Sequence, residues 1–154
     1  MGYTNYWNAS EPVSLEQAAP HIQELLQIGT EQGILAGADG LGTAVFDGRI
    51  VVFNGSTREA YESFYITPDQ TGFQFCKTAR QPYDAFVKAA LILIQASCDD
   101  PEQFRISCDG GHNDWEQAAE LVEKVSNIKL CDVIISDSVL STAQLRSLTS
   151  SVGM

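Results

Sequence analysis

The residues best suited to chemistry lie in two short segments. Lys77 and Arg80 stand three apart with Thr78 between them. Two of the chain's nine basic residues in one loop could hold a phosphate or carboxylate, with Thr78 adding a hydrogen bond and Arg80 a bidentate grip. The alternative is that they are loop charges paired with Asp84 or Asp109, since a Walker-type loop would need glycines that this segment lacks. In Asp109-Gly110-Gly111-His112 two glycines allow close backbone approach to a ligand, and Asp109 and His112 could be polar contacts or an acid/base pair. A tight turn feeding a helix explains the same residues. Cys76 lies beside Lys77 near an expected helix start, a setting that can lower a thiol pKa, although cysteine is also among the most buried residue types. Tyr6, Trp7 and Tyr83 are planar side chains that could stack on a nucleobase or fill the core.

Helices and strands must position these residues. Ser14-Leu15-Glu16-Gln17 reads as a capping box opening a helix that ends near Gly29 or Gly33, with Pro20 tightening or kinking its first turns. The segments 49–53 and 61–66 are rich in β-branched and aromatic residues and read as a hairpin. Strand 73–76 is expected to extend that meander, antiparallel to its second strand. From Pro82 the apolar period becomes helical through Tyr83, Phe86, Val87, Ala90, Leu91 and Ile94. Strand 104–108 follows, then a helix capped by Asn113 that runs to about Asn127, a strand 131–135 and a short helix from Ser141. A helix between strands 73–76 and 104–108 makes them parallel if they share a sheet, with a right-handed crossover and both carboxyl ends on one edge. Loops 77–81 and 109–112 would then flank one ligand-binding crevice, with helix N-termini adding backbone donors. The expected fold is therefore α+β: a single domain over 1–154, whose mixed sheet joins an antiparallel meander to one βαβ crossover under a cover of helices.

Composition sets limits on function. The chain has 154 residues, 44% hydrophobic and 19% charged, close to the soluble globular average. Its formal charge of −11 argues against general nucleic-acid binding, which depends on Lys and Arg neutralising phosphates. Cys76, Cys98, Cys108 and Cys131 form no Cys-x-x-Cys pair and have no close histidine, so they read as reduced thiols, with no metal and no cofactor expected. No secretory signal opens the chain, Tyr6 breaks the myristoylation pattern begun by Gly2, and the apolar run 89–94 is far shorter than the about 20 residues of a bilayer span. A cytoplasmic protein without membrane contact is expected. Asn8-Ala9-Ser10 and Asn54-Gly55-Ser56 are then chance sequons. Glu116, Glu120 and Glu123 recur opposite the stripe of Trp115, Ala118, Ala119 and Val122, which suits a solvated face or a surface offered to a basic partner. His21 sits beside the apolar stripe of the first helix.

Gly2-Tyr3-Thr4-Asn5-Tyr6-Trp7 together with Phe75-Cys76-Lys77-Thr78-Ala79-Arg80-Gln81-Pro82-Tyr83-Asp84 resembles a family of small uncharacterised proteins from bacteriophages and bacteria. The resemblance runs to about residue 126 and includes Ser107-Cys108-Asp109-Gly110; the segment after Asn127 lies beyond it and reads as a C-terminal extension. It implies a phage-borne or mobile-element protein, acting in the host cytoplasm if phage-encoded, and assigns no catalytic residue. The first expectation is a non-enzymatic binder of a small anionic ligand, a nucleotide for instance, which in a virus could sequester a host nucleotide immune signal. Its site would draw on Lys77, Thr78, Arg80, Tyr83, Asp109, Gly110, Gly111, His112, Tyr6 and Trp7. Two other classes stay open: a hydrolase or transferase using Cys76 or Asp109 and His112, and an acidic inhibitor of a host defence or nucleic-acid-binding protein acting through the 113–126 helix. Self-association is open as well.

Overall fold

The N-terminal Thr4–Ala9 segment, dense in residues that suit a pleated surface, forms strand β1 at the middle of a sheet. The computed structural model describes residues 2–126, with the backbone alone at Pro101 and His112. The strand expected at 131–135, the helix from Ser141 and Cys131 lie outside the described residues. After β1 come α1 (Ala19–Glu31), β2 (Leu35–Ala36), β3 (Val45–Phe46), β4 (Val51–Gly55), β5 (Phe64–Ile66), β6 (Gly72–Lys77), α2 (Asp84–Ala96), β7 (Phe104–Cys108) and α3 (Glu116–Ser126). The architecture is α+β.

Helix α1 starts later than the capping-box sequence suggests. The Ser14 hydroxyl accepts from the Glu16 amide, and the helix begins at Ala19, which puts Pro20 in the first turn, where its missing N–H has no intrahelical role. Its end is a Schellman motif: Gly33 is left-handed at φ 73°, its amide donates to the Thr30 carbonyl at 3.1 Å, and the Ile34 amide reaches the Gly29 carbonyl at 2.9 Å. Helix α2 is buried on every side from residue 85 to 95, so the apolar stripe read from the sequence is one face of a central helix. It packs on α1, α3, β7 and β1. His21 of α1 lies with Nδ1 3.0 Å from the Val125 carbonyl of α3.

The strands form two sheets, and every neighbouring pair is antiparallel. The expected hairpin exists: Val51, Val52 and Phe53 of β4 face Ile66, Tyr65 and Phe64 of β5. Strand β6 does not extend that meander, in contrast to the sequence reading. It pairs with β1, whose other edge pairs with β7, giving the order β6-β1-β7. Strands β6 and β7 therefore run in the same direction, joined through α2, but β1 lies between them and the sheet has no parallel pair. The side-chain pattern explains the choice. Asn5, Trp7 and Ala9 point to the core, opposite Cys76 and Gln74 on one side and Cys108, Ile106 and Phe104 on the other, so all three strands bury one continuous face. Trp7 then bridges to the second sheet through an edge contact with Phe64 at 5.2 Å.

Candidate functional site

Thr4 lies opposite Lys77, and the amide of Asp109 donates to the Thr4 carbonyl at 3.0 Å. The exits of β6 and β7 therefore share one edge, two strand spacings or about 10 Å apart. The residues expected to converge there divide among three environments.

The first is the open face of the sheet. Side chains alternate across a strand, so Phe73, Phe75 and Lys77 of β6 point away from the core together with Tyr6 of β1. Phe73 and Phe75 are 61% and 50% exposed and lie beside each other, so they form a contiguous apolar patch rather than scattered exposed residues. Tyr6 stacks on Phe73 at 5.7 Å between ring centroids, Phe73 lies 6.2 Å from Phe75, and the Lys77 ammonium stands 6.0 Å from the Phe75 ring. Lys77 forms no ion pair among the described residues, whereas Arg105, further along the same face, is paired with Glu102. Asp109 borders the face as a fixed acceptor. One oxygen takes the Thr4 amide at 2.9 Å, and the other takes the Tyr6 hydroxyl at 2.6 Å, which raises the Tyr6 pKa above its ordinary value.

The second environment is the helical side of the edge. Arg80 turns there, its guanidinium 4.0 Å from the centre of the buried Tyr3 ring and 3.3 Å from Asp114. It pairs with neither Asp84 nor Asp109. Ala79 and Arg80 are consecutive left-handed residues, at φ 53° and 58°, and neither is glycine. The turn holds because the Thr78 and Ala79 amides both donate to the Tyr3 carbonyl, at 3.0 and 3.3 Å. A Cβ at Gly110 would fall 1.5 Å from an Asp114 oxygen, so a side chain there would displace the Asp114 carboxylate. Gly111 has open space around it, and the His112 side chain lies outside the described residues.

The third environment is the interior, and it removes three expected ligand contacts. Thr78 is fully buried and donates its hydroxyl to Asp84 at 2.6 Å. Tyr83 is fully buried, with its hydroxyl donating to the Glu62 carbonyl at 2.6 Å. Trp7 is a core residue whose indole N–H donates to Gln70 at 2.9 Å. None of the three has a free face for a ligand, because the core needs their rings and methyl groups and the interior needs their polar atoms paired. Asp84 also accepts from Asn5 at 2.7 Å and pairs at 2.5 Å with Lys88, whose side chain is wholly buried. Cys76 is buried as well. Burial first, then the charges of Glu62 and Asp84, push its thiol up to about 12, so it is no thiolate at neutral pH. Among the described residues no group of His, Cys, Asp and Glu could hold a metal ion, and no helix is long and apolar enough to cross a membrane.

Comparison with protein-family models, with curated proteins and with solved structures yields no match to this chain.

Sequence alone does not show Phe73 and Phe75 as surface residues, Tyr3 and Asp114 as the partners of Arg80, or Lys88 as the partner of Asp84. Some signals were present. The order Phe-Gln-Phe-Cys alternates, and Asp84 and Lys88 stand at i,i+4 on a helix. Which face of β6 would be solvated depended on β1 being a strand.

Proposed function

We propose that the protein binds a small planar anion of the nucleotide class on the open face of the β6-β1-β7 sheet, without converting it. Phe75 and the Tyr6–Phe73 pair would stack on the base, and Lys77 would take the phosphate. The observation that supports this is the coincidence, on one face, of three solvent-facing rings with an ammonium that has no ion-pair partner among the described residues. Stacking is worth about 1–3 kcal/mol per base, which alone gives only weak affinity, so the lysine charge has to contribute. Among the described residues the carboxylates bordering the face, Asp109 and Glu62, are engaged in structural hydrogen bonds, which suits retention rather than turnover. Affinity without turnover is what sequestering a host nucleotide signal would require, one purpose such a binder would serve if its gene is viral. Arg80, Thr78, Tyr83 and Trp7 have no part in this site.

The test is equilibrium binding of nucleoside mono- and diphosphates and cyclic nucleotides, with mass spectrometry of what denaturation releases. Unchanged nucleotide is expected, and Phe75→Ala and Lys77→Gln should each weaken binding by roughly tenfold, or about 1.4 kcal/mol. Failure of every nucleotide to bind, or variants that bind as tightly as the parent, overturns the proposal. Chemically altered nucleotide would show an enzyme instead.

A further inference from the structure

A cavity of about 250 Å³ opens on the helical side of the same edge, lined by Tyr3, Arg80, Asp84, Asp114, Asn113 and Gln117 among others. Its volume falls below the about 300–1,000 Å³ of drug-sized sites, which suits a metabolite smaller than a nucleotide. The charges decide the chemistry. Asp84 is neutralised from behind by the buried Lys88 ammonium and already accepts from Thr78 and Asn5. That leaves one cation and one anion to meet an incoming molecule, Arg80 and Asp114. They touch through a single contact of 3.3 Å, and the Arg80 side chain is 61% exposed. Such a pair contributes little to stability, so separating it costs little. A purely anionic ligand on Arg80 would lie against Asp114 with nothing to balance that carboxylate, and a purely cationic one would strand Arg80. A ligand carrying both charges on neighbouring atoms satisfies both groups at once.

We propose that this cavity binds a small free α-amino acid, its carboxylate taken by Arg80 and its ammonium by Asp114 in place of their mutual contact. The two partners are held by different segments of the chain. Arg80 lies on the Tyr3 ring at the end of a left-handed turn, which limits where the guanidinium can go. Asp114 is seated against Gly110, and its amide donates to the Gly111 carbonyl at 3.1 Å. The exposed amides of Asn113 and Gln117 on the cavity rim can both donate and accept, which favours a polar, uncharged side chain. The site is independent of the aromatic face, because no ring of that face lines it.

The experiment is calorimetric titration of the full chain with L-serine, L-asparagine and L-glutamine, each beside its α-amide and its N-acetyl form, with acetate as a further control. At least one free amino acid should bind, and its α-amide and N-acetyl forms should bind roughly tenfold or more weakly. Arg80→Gln and Asp114→Asn should each abolish the preference for the form with both charges, while circular dichroism shows the fold intact. Phe75→Ala, which disturbs only the aromatic face, should leave amino-acid binding unchanged, so this site and the nucleotide site fail separately. Absence of heat for all three amino acids, binding of acetate or of the amides as tight as that of the free acids, or unchanged binding in both charge variants overturns the proposal.

Discussion

At the scale of single residues, the turn between β6 and α2 is where local preference and observed conformation disagree most. Two successive non-glycine residues in the left-handed region cost roughly 1–2 kcal/mol each, and strain of this kind persists only where the surroundings over-determine it. Here the Tyr3 carbonyl and ring provide that constraint. Ala79→Gly should therefore stabilise the protein by about 1 kcal/mol in urea unfolding, since glycine adopts the same φ without the Cβ clash. A neutral or destabilising result would show that the turn is not strained at Ala79. The functional residues were only half legible. Lys77 and Arg80 were noticed because basic residues are scarce in this chain, yet their directions were not readable, and they leave toward opposite sides of the sheet. The chemistry of Thr78 and Tyr83 suggests ligand contacts, and that same chemistry is used inward, on Asp84 and on the Glu62 carbonyl.

At the scale of elements, local sequence was a good guide wherever the determining contacts are local. Strand 104–108 has the bounds expected of it, α2 begins just past Pro82, and α1 ends at Gly33 because only that residue takes the left-handed position cheaply. Gly33→Ala should lower stability by roughly 1–2 kcal/mol in urea unfolding, through backbone strain alone, since no atom lies within 4 Å of the added Cβ. An unchanged midpoint would mean that the Schellman ending does not stabilise α1. Strand β1 was the element that local reading could not place. Its aromatic residues suggested a tied-down segment, but a strand gains its hydrogen bonds from partners distant in the chain, here about 70 and 100 residues away. Once β1 is central, β6 has to leave the meander, and its alternate residues are sorted into core and open face.

At the scale of the whole molecule, the buried ionisable groups predict the alkaline limit of stability. Cys76, Tyr3 and Tyr83 all have their pKa raised in the folded state, chiefly by burial. Above the ordinary thiol value of 9.0 the unfolded chain loses a proton that folded Cys76 keeps until about 12, so unfolding releases protons and stability falls as pH rises through that window. The two phenols extend the same trend above their ordinary value of 10.0. Urea unfolding from pH 7 to 11 should show this decline, with a shallower slope for Cys76→Ala between pH 9 and 10; an equal slope would remove Cys76 from the account. Mapping of alkylated sites at pH 8 should find Cys76, Cys98 and Cys108 unmodified in the native protein, as all three are buried.

The sequence by itself determined the class of the fold, the helix that links β6 to β7, and the scarcity of basic charge. Each of these follows from apolar period, turn residues or composition, which act over a few neighbouring positions. Only the tertiary structure decided that β6 and β7 share a sheet and an edge with β1 between them, that Phe73 and Phe75 face solvent while Thr78, Tyr83 and Trp7 do not, and that Arg80 meets Asp114 rather than Asp84 or Asp109. The physical reason is that a side chain's direction depends on which distant strand or helix covers it, and one pairing choice at β1 settled that for every residue along the edge.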